Sequence, residues 1–177
     1  MEAMENILTR RSVRVYQDRP VSREVLDTVF AAAQMAPTWK NTQTPGYLVV
    51  ETPERKGKLM ESLPPYNART VSTAPVVVVM TTKRGRCAYE RDGSFTTKKE
   101  DRWEMFDAGI ACQTLCLAAW AQGLGTCIMG IYDEDQLPKL LEIPEDQYVT
   151  AVVALGYPGE TPKAPKRKPM EEKVHYV

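Results

Sequence analysis

Four consecutive valines, Val76–Val79, constrain this chain more than any other feature. A β-branched run without polar alternation reads as a strand buried on both faces. A strand covered on both sides needs a sheet with further layers of structure packed over it. The rest of the sequence supplies candidates for those layers. Ser22 reads as an N-cap, and Val25, Leu26, Val29, Phe30 and Ala33 then recur at helical spacing. Pro37 biases Ala36 away from the helical region and ends that helix. A polar loop over 38–46 leads into a short strand over 47–50. A helix over 54–62 is stopped by Pro64 and Pro65. Residues 83–99 form a long polar loop, of a length often found in lids or disordered segments. The longest helix is expected over 100–122. It is apolar almost all round from Ala108 onward, as suits burial in a core or a subunit interface. Gly123 takes the C′ position after it. Strands follow over 126–129 and 149–155, with a short helix over 134–141 between them. The order is helix, helix, strand, helix, strand, helix, strand, helix, strand: a layered α+β or α/β domain. The Pro- and Lys-rich tail, 156–177, closes on the strand-like Val174-His175-Tyr176-Val177.

Several function classes are disfavoured. Lys plus Arg and Asp plus Glu both total 23, so the net charge is zero. A general nucleic-acid binder needs a positive excess to neutralise phosphates, and an anionic-membrane binder needs the same. No apolar run approaches the roughly 20 residues of a spanning helix. The start, MEAMENILTRR, is too acidic for a secretory signal, so the expected compartment is the cytoplasm. Cys87, Cys112, Cys116 and Cys127 form no CxxC, and the one histidine is His175. These are read as reduced thiols and not zinc ligands. Cys112 and Cys116 would share a helix face as neighbours, not as a redox pair. GxGxxG and GxSxG are both absent. With so few acid–base groups at hand, a bound cofactor is the natural carrier of the chemistry.

Two cationic clusters stand out. In an extended Arg10-Arg11-Ser12-Val13-Arg14, residues Arg10, Ser12 and Arg14 project to one side. Two guanidiniums and a hydroxyl there suit a phosphate and a second electron-rich group. A solvated charged turn is the alternative reading. Lys163, Lys166, Arg167 and Lys168 form the second cluster, which is either a flexible tail or the other half of one anion site.

The string ENILTRRSVRVYQDRPVSREVLDTVFAAAQMAPTWKNTQTPGYLVV resembles the opening of nitroreductase-like flavoproteins. Later strings agree in the family's order: DAGIACQTLCLAAWAQGLGTCIMG with its central helix, VVALGYPGE with its closing strand, and KRKPMEEKVHYV with its basic residue and C-terminal arm. The resemblance implies an α+β fold with a central mixed β-sheet flanked by helices. It implies a single domain, 1–177, in an intertwined homodimer whose arm, 157–177, packs on the partner subunit. It implies FMN as cofactor and NADH or NADPH as electron donor. Arg10 and Ser12 would bind the FMN phosphate and ribityl chain, with Arg11 in the same segment, and Arg14 would lie at the flavin N1–O2 edge. Pro37, Thr38 and Trp39 match a loop that the partner lays over the flavin, with Asn41 and Gln43 beside it. Asn67 would meet the pyrimidine edge, and Ile128, Met129 and Gly130 would run near the ring. Arg167, with Lys166, would supply a distal phosphate cation. No catalytic side chain is expected beyond Arg14 as a tuning cation, because the hydride chemistry belongs to FMN.

Two departures from the family's pattern matter. Pro45 is followed by Gly46 where an aromatic residue is frequent, and residues 83–99 match no family pattern. In that loop Tyr89 and Phe95 would either roof the flavin or belong to a mobile solvated segment. The implied reaction passes electrons from NAD(P)H to an electron-poor small molecule, a nitroaromatic or a quinone, by ping-pong kinetics. Three alternatives stay open: reductive dehalogenation on the same fold, a protein that binds or stores FMN without turnover, and a basic-tailed interaction protein without cofactor.

Overall fold

In the computed structural model, which describes residues 1–177, the valine run becomes the centre of β2 (Val76–Lys83). The other elements are α1 (Ala3–Thr9), α2 (Arg23–Ala33), β1 (Pro45–Val50), α3 (Pro53–Glu61), α4 (Pro65–Thr73), α5 (Arg102–Ala121), β3 (Gly125–Met129), α6 (Gln136–Leu140) and β4 (Gln147–Gly156). The sheet order is β1-β2-β4-β3. All three pairings are antiparallel, so the expected mixed sheet is corrected. The parallel element is a single bridge, Ser12 to Thr126. The valine run is buried on both faces because helices cover both faces, which removes the need for parallel neighbours.

Each face has its own core. Leu26, Val29 and Ala33 of α2, with Ala111, Cys112 and Leu115 of α5, pack on Val76, Val78 and Met80. Leu59 of α3, Val71 of α4 and Leu137 of α6 pack on Val77 and Val79 from the other side. The helix starts follow local chemistry. The hydroxyls of Ser22 and Thr52 accept the backbone N–H of Val25 and Arg55 at the starts of α2 and α3. Gly123 follows α5 at φ 76°, a left-handed value that suits glycine.

The Pro64-Pro65 pair ends α3 as expected but also opens α4, which the sequence reading missed. Pro65 stands at the first helical position, where its fixed φ is preorganised and its missing N–H costs nothing. α5 buries Ala108, Ala111, Cys112, Leu115, Cys116 and Ala119, yet it leaves Met105 and Phe106 exposed at 51% and 59%. All four cysteines are free and buried. The tail forms no strand at Val174–Val177, and every residue from Lys163 onward is exposed. No helix is long and apolar enough to cross a membrane.

Candidate functional site

The Arg-rich segment is pinned to the edge strand β3. Arg10 caps the C-terminal end of α1, and the chain then extends. Val13 is fully buried, and its backbone N–H donates to the Thr126 carbonyl at 2.9 Å. A Cβ on Gly125 would lie 2.6 Å from Val13 Cγ2, so only glycine admits this close approach. With Val13 turned inward, Ser12 and Arg14 turn outward. Burial raises the Cys127 thiol, and the Arg14 charge opposes that rise.

The outer edge of β3 is open beyond this bridge. Thr126 directs its carbonyl at Val13 and away from β4, and strand alternation gives Ile128 the same orientation. No other segment pairs with that edge, and Ile128 is 48% exposed. Met129 is buried in the sheet core, and Gly130 is exposed just past the strand. Asn67 of α4 is buried and donates its side-chain N–H to the Ile131 carbonyl at 2.9 Å. Ser12, Arg14, Ile128, Gly130 and Asn67 thus lie along one edge, with Arg10 two positions before Ser12 at the end of α1. Cation, hydroxyl, cation and free strand backbone in sequence suit an elongated ligand with an anionic end.

The remaining expected residues lie elsewhere. Arg11 turns back along α1, donating through Nη1 to the carbonyls of Leu8 (2.7 Å) and Arg10 (2.9 Å). The start of the tail is docked on its own subunit. Gly159 N–H donates to Val15, and Glu160 Oε1 accepts the Arg14 and Val15 N–H groups at 2.6 and 3.2 Å. Lys166 and Arg167, further along, are exposed. Within one subunit they make no hydrogen bond or ion pair.

Pro37, Thr38, Trp39, Asn41 and Gln43 sit at the entrance to β1, the opposite edge of the sheet. Three strand spacings separate the two edges, about 14 Å. Lys40, Asn41 and Gln43 adopt φ of 45°, 56° and 51°, a left-handed conformation uncommon outside glycine. The Thr38 hydroxyl accepts the Gln43 N–H at 3.0 Å. Thr38 and Gln43 line a cleft of about 530 Å³ together with Phe30 and Tyr47. The Trp39 ring packs at a tilt of 41° on Trp103, with centroids 4.3 Å apart.

Residues 83–101, between β2 and α5, are folded onto that loop. Lys40 pairs with Glu90 at 3.0 Å, Glu90 accepts the Thr96 hydroxyl, and Tyr89 stacks on Phe95 at 4.8 Å. Two buried carboxylates of α5 hold the ensemble. Glu104 accepts the Gly85 N–H at 2.9 Å. Asp107 accepts the Trp39 N–H at 2.8 Å and the Cys87 thiol at 3.3 Å. The sequence reading missed both acids. The available signal was two carboxylates three residues apart in a helix otherwise built to be buried, where a charge requires partners.

Comparison with known proteins gives a consistent picture. Residues 7–68 and 56–157 match the Nitroreductase family. A protein of Methanothermobacter thermautotrophicus, provisionally named NADH dehydrogenase/NAD(P)H nitroreductase, is 36% identical over 92% of this chain and 80% of its own. An FMN reductase [NAD(P)H] of Bacillus subtilis is 30% identical over 98% of this chain and 73% of its own. A Desulfovibrio desulfuricans structure in complex with FMN, provisionally named a nitroreductase, superposes with a TM-score of 0.78 at 26% identity. It covers 98% of this chain and 96% of that one.

Proposed function

The chain belongs to the nitroreductase family, and from that membership we propose that it is an FMN-dependent oxidoreductase acting as a cytoplasmic homodimer. The observation that supports the reading is the bridge that sets Ser12, between Arg10 and Arg14 in sequence, beside the open edge of β3. Those groups fit FMN. The cations and hydroxyl suit its phosphate and polyol, and the outward backbone of Ile128 and Gly130 offers donors and acceptors to a planar heterocycle. When bound, FMN supplies the redox chemistry, accepting a hydride equivalent from NADH or NADPH and passing electrons to a small electron-poor acceptor such as a nitroaromatic or quinone.

The protein's own groups then have separate tasks. Arg10 and Ser12 bind and orient the phosphate end. Arg14 holds a fixed positive charge where negative charge develops on reduction. Asn67, already held against Ile131, presents its amide at the same end. Pro37, Thr38 and Trp39, with Asn41 and Gln43, cover the corresponding site of a second copy. The separation of the two sheet edges, about 14 Å, supports this arrangement. The exposed Met105 and Phe106 of α5 form part of the contact between copies, and the tail carries Lys166 and Arg167 across to the partner's phosphate.

The test begins with the visible spectrum of the purified protein and its mass in solution. A flavin spectrum, FMN recovered on denaturation and a dimer mass are expected. Steady-state oxidation of NADH or NADPH with a quinone should give parallel double-reciprocal lines, because donor and acceptor take turns at one position. A colourless monomer that takes up no added FMN sinks the proposal. FMN uptake without turnover leaves only the binding part standing.

A further inference from the structure

Two loops distant in sequence meet on a single carboxylate oxygen. Asp107 lies on α5 and is 2% exposed. Its Oδ2 accepts the backbone N–H of Trp39 at 2.8 Å and the thiol of Cys87 at 3.3 Å. No lysine or arginine pairs with it. A buried carboxylate is costly unless hydrogen bonds satisfy it. The donors that satisfy this one come from residues 38–43 and from residues 83–101. Burial, and then Asp107 itself, push the Cys87 thiol up to about 12, so it remains a donor at neutral pH.

The loop over 38–43 needs such an anchor. Three of its residues, none of them glycine, are left-handed, at roughly 1–2 kcal/mol each. Strain of that kind persists only where the surroundings over-determine the backbone. The other ties to this loop are weaker or lie on the surface. Lys40–Glu90 is a half-exposed ion pair, of a kind worth about 0–1 kcal/mol. The Trp39–Trp103 contact depends on the Trp39 backbone being in place. The short bond from the Trp39 N–H to the buried Asp107 oxygen, 2.8 Å, is the strong element.

We infer that Asp107 is a positioning residue. It fixes the backbone of Trp39 and joins that loop through Cys87 to residues 83–101, so the two loops meet the electron acceptor as one rigid surface. This rests on the proposed role of the Trp39 loop over the cofactor site. The coupling also assigns acceptor preference to residues on both loops together, and not to either alone.

The experiment compares full-length Asp107→Ala, Asp107→Asn, Cys87→Ala and Leu59→Ala with the parent protein. Leu59 is fully buried against the opposite sheet face and serves as a control for lost stability. One readout needs no turnover: the near-ultraviolet circular dichroism of the packed Trp39–Trp103 pair. The second is the split of acceptor KM against kcat, with a quinone as acceptor. Asp107→Ala should lose the tryptophan couplet and raise KM on the order of 10- to 100-fold, the scale of effects from small misplacements. Asp107→Asn, whose carbonyl oxygen still accepts the Trp39 N–H, should recover most of both. Cys87→Ala should move both in the same direction by less. Leu59→Ala should lower Tm and leave both readouts unchanged. An intact couplet and unchanged KM in Asp107→Ala, with only Tm lowered, would overturn the inference. So would an unchanged couplet and KM in Cys87→Ala, for the coupling between loops. If the parent protein takes up no FMN, the proposed function fails by itself, and the couplet still decides whether Asp107 holds the loop.

Discussion

The two halves of the proposed site are held in opposite ways. The Arg10–Arg14 segment is fixed by apolar packing and backbone pairing: Val13 sinks into the core beside a glycine, and one bridge ties Ser12 to Thr126. The Trp39 loop is fixed by polar contacts made at a distance, against its own left-handed backbone. The first half rests on one close approach to β3, more than 110 positions later, with Glu160 accepting the Arg14 and Val15 N–H groups beside it. The second depends on a helix more than 60 positions later. A binding edge built on a strand is thus rigid by construction, whereas a covering loop is rigid only while its anchors hold.

The largest expected effect comes from breaking the first half. Gly125→Ala places a methyl within 2.6 Å of Val13 Cγ2 and 2.7 Å of its Cβ. Neither neighbour is the free end of a flexible side chain, so the Arg10–Arg14 segment must shift outward. Overpacking of this kind costs about 1–3 kcal/mol, readable as a lower midpoint in urea. FMN affinity should fall with it, because Ser12 and Arg14 move off the β3 edge. Undiminished FMN binding in a destabilised Gly125→Ala protein would show that this segment does not shape the cofactor site.

The same contrast explains what could be read in the sequence. The doubly buried strand, the cap at Ser22 and the glycine after α5 are local patterns, and each has a structural counterpart. α4 escaped because a proline pair signals a stop more loudly than a start, although proline serves both. The antiparallel sheet escaped because valine density reports burial on both faces and says nothing of strand direction. Asp107 and Glu104 escaped because a carboxylate's partners are chosen in space. The donors at Trp39 and Cys87 carry no sequence mark that pairs them with α5. The tail is the reverse case. Its composition reads as a segment that lies on something else, and a single subunit leaves it exposed from Lys163 onward.

A smaller effect sharpens the electrostatic part of the first half. Arg14 is exposed, and its backbone is separately held by Glu160. Arg14→Ala should therefore remove charge without displacing the chain. Loss of a fixed cation disfavours the reduced, more negative cofactor, so the bound flavin's potential should fall. A drop of about 30 mV would correspond to 1.4 kcal/mol for a two-electron couple. Potentiometric titration of parent and variant decides it. An equal potential would confine Arg14 to binding or to a surface role.

The smallest expected effect probes the anchoring of the second half. Glu104 is 4% exposed and has its pKa raised, chiefly because burial disfavours the carboxylate, with the Gly85 and Arg86 N–H groups and the Tyr148 hydroxyl opposing that rise. A folded-state pKa above the unfolded one means that the folded protein binds the proton more tightly. The associated stability is then fully present below the usual glutamate value of about 4.3 and is lost as pH climbs through the raised value. At neutral pH the carboxylate is therefore a burden that a neutral isostere removes. Glu104→Gln keeps an oxygen for the Gly85 N–H and should raise Tm slightly at pH 7. The gain should shrink as the pH is lowered toward 4, where both side chains are neutral. If Glu104→Gln instead lowers Tm at pH 7, the charge of Glu104 is itself required by the loop over 83–101. That loop would then resemble the one Asp107 holds, with α5 carrying two side-chain anchors.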